Sequence, residues 1–285
     1  MKLNDDFLIA GGSVLGREHK IVGKNNHDAY FWLMTNEALI GLIADGCGSR
    51  KHSEVGAKLG LRLLANEITR RLKSQKRSPP GIKAWTAFLE EIRQDVLAEM
   101  RTFAKSLGDN LIQIVEEYFL FTVLGTIITT EETVIFSLGD GIFVLNGDAS
   151  QIGPFPLNEP PYLAYGLITA ALKEMNPELL CFKVERLLPT AEVQSILLGT
   201  DGAADLSRIK DRKLPGKEKL MGGLEQFWQE ERYFKNPDMI RRQLQAANND
   251  CSTPNWEERR LDRENSLLPD DTTILVIRRQ ETEKE

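Results

Sequence analysis

The sequence is short of what would mark a secreted, membrane-spanning or nucleic-acid-binding chain. Its 285 residues include three cysteines, Cys47, Cys181 and Cys251. An odd number with no metal-site spacing argues against a disulfide framework, gives zinc nothing to use and fits a reducing compartment. Basic excess is missing too: the net charge is -6, so nothing would displace counterions from phosphates, and no nucleic-acid partner is expected. No apolar stretch is long and uninterrupted enough to span a membrane. The start, Met1 to Asp6, carries Asp5 and Asp6 where a signal peptide would be basic, so the expected location is cytoplasmic with no membrane partner. There is no Cys-centred phosphate loop, no Gly-x-Ser-x-Gly elbow and no Gly-Lys-Ser/Thr loop, hence no motif for a protein nucleophile or a nucleotide cradle. Repeats and low-complexity linkers are absent as well, which favours one domain over two.

What is present is an ordinary globular composition, 41% hydrophobic and 27% charged, enough for a sizeable core. Within it, aspartates stand at the ends of apolar runs. They occur in Leu42-Ile43-Ala44-Asp45-Gly46, Leu138-Gly139-Asp140-Gly141, Leu198-Gly199-Thr200-Asp201-Gly202 and Asp270-Asp271-Thr272-Thr273, the last leading into Ile274 to Ile277. Apolar runs followed at once by glycine read as buried strands ending in tight turns. Each turn then presents a carboxylate at one rim of a sheet. Asp28, in Asn25-Asn26-His27-Asp28-Ala29, is a fifth. Crowded carboxylates repel and resist desolvation unless cations lie between them. Hard oxygen donors favour magnesium or manganese.

The periodicity predicts strands over Phe7 to Val14, Ala29 to Met34 and Ala38 to Ala44. A long helix follows from Ser53, with Val55, Leu59, Leu63, Leu64, Ile68 and Leu72 as its apolar side and Ser53 able to cap it. A break at Ser78 to Gly81 precedes a second amphipathic helix, Lys83 to Lys105. Strands resume at Tyr118 to Thr129, Thr133 to Leu138 and Ile142 to Asn146, then at Cys181 to Leu187 and Val193 to Thr200. Gly202 to Ile209 reads as a short helix. Residues 211–268 read as a polar helical insertion, including the charged stretch Glu257 to Glu264, before a closing strand Thr272 to Arg279 and a frayed tail from Gln280. Helices packed on antiparallel sheets, an α+β architecture, are the expectation.

The order and wording of the acidic blocks resemble one family, the metal-dependent type 2C serine/threonine protein phosphatases, in their compact bacterial form. The carrying motifs are Gly23 to Tyr30, Ala44-Asp45-Gly46-Cys47-Gly48-Ser49 with Ser53 to Ala57, Leu138 to Gly141, Thr200 to Asp205 and Asp270 to Thr273. The resemblance spans nearly the whole chain. It implies a β-sandwich of two antiparallel sheets flanked by helices, a four-layer α-β-β-α fold, as one phosphatase domain over 1–285. It further implies hydrolysis of phosphoserine and phosphothreonine in proteins by a water or hydroxide bridging two manganese or magnesium ions, opposing a cognate serine/threonine kinase.

Carried over by position, Asp45 resembles the bridging carboxylate, the Gly46 carbonyl a ligand of one ion, and Asp201 and Asp270 ligands of the other. Asp28 resembles the supporting acid, and Asp140 and Asp205 the ligands of a third, weaker site. Asp271 is expected to orient its turn. Arg17, His19 and Lys24 lie where such enzymes place a phosphate contact, and His19 and Arg17 are the expected ones. His27 stands where the family commonly has Glu or Gln, which admits a role as proton donor to the leaving group. That departure, with the unusual stretch Phe121 to Thr126, keeps a second reading open: a catalytically weak or inactive phosphatase-like regulatory binding protein. A third, hydrolysis of a small phosphorylated metabolite, would draw its selectivity from the 211–268 insertion.

Overall fold

A computed structural model of the chain describes residues 3–75, 78–168 and 176–280; the charged tail from Glu281 lies outside them. Twelve strands are described. Five of them, β1 (Phe7–Val14), β12 (Thr272–Arg279), β9 (Ser195–Gly199), β6 (Gly141–Leu145) and β7 (Asp148–Ile152), form one sheet in that order. A second five-stranded sheet runs β2 (Ala29–Met34), β3 (Leu39–Ala44), β4 (Val123–Ile128), β5 (Glu132–Leu138), β8 (Lys183–Pro189). Every pairing is antiparallel.

Period-2 alternation explains why the central strands read as continuous apolar runs. In β3, Leu39 and Ile43 join a cluster with Leu275, Ile277, Ile196 and Leu198 of the opposite sheet, while Ile40 and Leu42 face away toward helices. In β12, Leu275 and Ile277 point into the sandwich and Ile274 and Val276 out of it. Strands covered on both faces have no polar side to show.

The outer layers supply that cover. Helices α3 (Ser53–Gln75) and α4 (Gly81–Leu107) lie on the β2-side sheet, burying Leu61, Leu64, Trp85 and Ile92. On the other side α9 (Met239–Ala247) buries Ile240 and Leu244 against the β1-side sheet. Three interfaces make four layers, α-β-β-α. Helix α3 approaches closely because glycines sit where it crosses the chain: a Cβ on Gly56 would lie 2.2 Å from the Tyr118 carbonyl oxygen, and one on Gly60 2.2 Å from the Phe121 ring. That contact fixes the helix start directly behind the Asp45 turn.

Several local expectations need correction. The run Tyr118 to Thr129 is not all strand: it joins the end of α5 (Leu111–Tyr118) to β4. Helix α2 (Arg17–Val22) and strand β7 are additional; α2 buries no residue and β7 is largely exposed, so neither carries a periodic apolar face. Ser53 does not cap α3, because its hydroxyl donates to the Cys47 carbonyl at 2.9 Å. Within 211–268 the helices α7 (Gln226–Gln229), α8 (Arg232–Lys235) and α9 are followed by a hairpin, β10 (Cys251–Asn255) with β11 (Arg260–Glu264), where helix was expected.

Candidate functional site

The register brings the acidic turns to one end of the sandwich. Ala29 pairs with Ala44, so Asp28 and Asp45, just outside those residues, flank one strand pair. Gly199 pairs with both Ile274 and Ile142, gathering the approaches to Asp201, Asp270 and Asp140 at the same rim. Asp45, Asp140, Asp201 and Asp270 line one cleft of about 210 Å³ together with Cys47, Gly48, Ser49, Thr122, Pro160 and Tyr162. No basic side chain lines it among the described residues.

Buried threonines hold the rim turns. Thr122 Oγ1 accepts from Asp45 N at 3.2 Å, and Thr122 N donates to the Asp45 carbonyl at 2.8 Å. Thr200 Oγ1 donates to Asp28 Oδ2 at 2.7 Å and accepts from Thr273 N at 3.1 Å, bridging three strand ends. Asp28 is 3% exposed, and its Oδ1 has no hydrogen-bond partner among the described residues; the same is true of Asp201 Oδ1.

Such crowding disfavours ionisation. Burial and then the mutual repulsion of the carboxylates raise Asp28 and Asp45 well above the usual carboxylate range. Asp140 is pushed up to about 6, first by burial and then by Asp201. Asp270 also reaches about 6, for the same two reasons in the same order. Orphaned oxygens, raised carboxyls and no cationic side chain form a donor set that fits hard divalent cations.

The remaining sequence candidates divide. Asp205 does not line the cleft that holds Asp140, and its Oδ1 accepts from Arg208 at 2.7 Å. Arg17 begins α2 with its backbone N donating to Leu268 and is not in the cleft lining. His19 comes nearer, with Nε2 3.1 Å from where a Cβ on Gly48 would stand, yet it lies behind that wall. Lys24, the other basic residue of this segment, donates to the Gly48 carbonyl at 2.5 Å and so fastens the loop from outside. His27 is 1% exposed and its Nδ1 meets Ser53 Oγ at 3.0 Å. Since Ser53 spends its proton on Cys47, His27 Nδ1 is the donor. Burial, then the neighbouring His19, lowers the His27 pKa. It lines no part of the cleft, so the expected proton donor to a leaving group is not in position.

Sequence reasoning missed Thr122 and Thr200. The second carried a signal, a β-branched hydroxyl directly between a buried apolar run and a rim carboxylate. Tyr162 and Pro160 enter from a distant segment and carried none.

An antiparallel sandwich between helical layers with carboxylates gathered at one rim is the architecture that the comparisons match. The profile described as "Protein phosphatase 2C" matches residues 15–247, and the chain belongs to that family. The fold is similar to that of serine/threonine phosphatase Stp1 from Staphylococcus aureus, with 13% identity, a TM-score of 0.52 and coverage of 99% of this chain and 98% of that one. It is similar to the catalytic domain of serine threonine protein phosphatase PstP in complex with two manganese ions, with 14% identity, a TM-score of 0.51 and coverage of 97% and 99%. Serine-threonine phosphatase 2C from Toxoplasma gondii gives 9% identity, a TM-score of 0.53 and coverage of 96% and 95%. Searched against curated proteins, the chain finds no match. Among the described residues no helix is long and apolar enough to cross a membrane.

Proposed function

We propose that this protein is a metal-dependent phosphatase that hydrolyses phosphoserine and phosphothreonine in proteins, working in the cytoplasm against a cognate kinase. Residues 1–285 act as one phosphatase domain with 211–268 inserted on its outer layer. The observation that carries the reading is the convergence of Asp45, Asp140, Asp201 and Asp270 on one cleft with Asp28 behind them, leaving buried carboxylate oxygens unpartnered. Asp45, the Gly46 carbonyl, Asp201, Asp270 and Asp28 would hold two manganese or magnesium ions. When bound, such ions supply positive charge that acidifies a water nucleophile and neutralises the phosphoryl oxygens.

The chain's own groups do the positioning. Thr122 pins the Asp45 turn from both sides of its peptide, so that carboxylate stays at the cleft floor. Thr200 keeps one Asp28 oxygen occupied and aims the other inward. Gly48 and Ser49 form a wall without bulk where a phosphoryl group can approach. His19, behind that wall, is the basic group best placed to favour the phosphate's charge, and Arg17 has no such support. Hydrolysis is preferred over the binding-protein reading, which His27 and the Phe121 to Thr126 stretch motivated, because His27 is buried outside the cleft and Thr122 of that stretch holds the Asp45 turn.

Turnover of p-nitrophenyl phosphate and of a phosphothreonine peptide tests the proposal. Activity should require added manganese, disappear with chelator and fall by about three orders of magnitude or more in Asp45→Asn and Asp201→Asn. Full activity of both variants, or activity in chelator, would sink it.

A further inference from the structure

One buried carboxylate at the rim accepts three hydrogen bonds from the chain itself. Asp271 is 3% exposed. Its Oδ1 accepts from Gly16 N at 2.6 Å, and its Oδ2 accepts from His27 N at 2.6 Å and from His19 Nδ1 at 2.9 Å. All three donors come from the N-terminal segment, more than 240 residues away in sequence. Three of its roughly four lone-pair sites are taken by this segment, so Asp271 serves chiefly as its acceptor, although with His19 and Asp270 it belongs to one group able to offer metal-ligand atoms.

Its neighbours show what the three bonds control. His27 directly precedes Asp28, and Asp271 directly follows Asp270 and donates its own N to Asp270 Oδ1 at 2.8 Å. Gly16 crosses against this peptide so closely that a Cβ there would lie 2.2 Å from the Asp270 carbonyl carbon. The third bond fixes the imidazole of His19 with Nε2 beside Gly48 in the cleft wall. One side chain therefore ties together the supports of Asp28, of Asp270 and of the Gly48 wall.

We propose that Asp271 is a positioning residue that sets cation affinity by clamping the N-terminal segment, through Gly16, His19 and His27, onto the strand that carries Asp270. The inference rests on the reading that the rim aspartates hold divalent cations. Outer partners of this kind typically contribute about 10–100-fold to metal affinity. Asparagine in this position keeps the volume but turns an amide donor toward at least one of the three N–H groups.

The test is manganese calorimetry on wild type and Asp271→Asn, well below the melting temperature of each, beside thermal unfolding in chelator. Affinity about 10–100-fold weaker in a variant that still melts cooperatively supports the clamp. A lowered melting temperature with manganese affinity within about threefold of wild type overturns it, because a purely structural bond moves stability alone. If Asp271→Asn does not fold, His19→Ala decides, since it removes one donor from a partly exposed site and leaves both backbone bonds. Affinity at least about threefold weaker supports the proposal, and unchanged affinity overturns it. A wild type that binds no manganese removes the cation reading itself, an outcome the wild-type titration separates from failure of the clamp.

Discussion

Replacing Asp140 with asparagine should make the metal-free protein more stable at neutral pH, although the residue sits in the cleft. Its carboxyl is held at about 6 rather than its ordinary 3.8, by burial first and by Asp201 second. The sign follows from linkage. With the folded value raised above the unfolded one, the stabilising side is low pH, and stability is lost as pH rises from about 4 through 6. At 1.36 kcal/mol per pH unit the full cost above pH 6 is about 3 kcal/mol, and partial solvent access reduces it to about 1–2 kcal/mol. Urea unfolding in chelator at pH 7.5 and pH 5 measures it. Asp140→Asn should exceed wild type by about 1–2 kcal/mol at pH 7.5, and the gap should shrink at pH 5, where the wild-type carboxyl takes up its proton. Added manganese should stabilise both forms at pH 7.5, because Asp28, Asp45, Asp201 and Asp270 are present in each. A variant no more stable than wild type at pH 7.5 in chelator would refute the argument that repulsion and burial burden this cleft.

Two further substitutions probe the supports. Thr200→Val keeps the shape but removes the hydroxyl between Asp28 and Thr273 N; stability should fall by about 1–3 kcal/mol in urea unfolding and manganese affinity by about tenfold in calorimetry. Asp205→Ala should leave manganese stoichiometry unchanged by calorimetry and lower the melting temperature by no more than about 2 °C, since only an exposed pair with Arg208 is lost.

Legibility in the sequence followed burial. Strands β1, β2 and β12 have the ends their apolar runs predicted; burial marks β12 and much of β1, while edge strand β2, with Tyr30 and Trp32 exposed, is marked by its run of large apolar residues. The hairpin β10–β11 was read as helix because it packs into no core: Trp256 is 85% and Leu261 57% exposed, and strands without a buried face leave no alternation to detect. Helix α5 was missed for a related reason, since Val115 is its one buried residue. The site was legible wherever a carboxylate directly abutted a buried run, as at Asp45, Asp140 and Asp201. It was not legible where partners decide the role. Asp205 satisfies the same spacing and is claimed by Arg208 one helical turn on, and His27 stands where the family commonly has Glu or Gln yet faces Ser53.

The rim carboxylates are rooted on both sides of the central seam. Asp28 and Asp45 adjoin β2 and β3 of one sheet, Asp201 and Asp270 adjoin β9 and β12 of the other, and Asp140 sits on the turn from β5 to β6 that passes between them. Any ion shared by these groups is therefore also a clasp across the two halves, and its loss would loosen the open end first. On the proposed function, scarcity of the cation would act twice, stopping turnover and letting the seam breathe at the acidic rim.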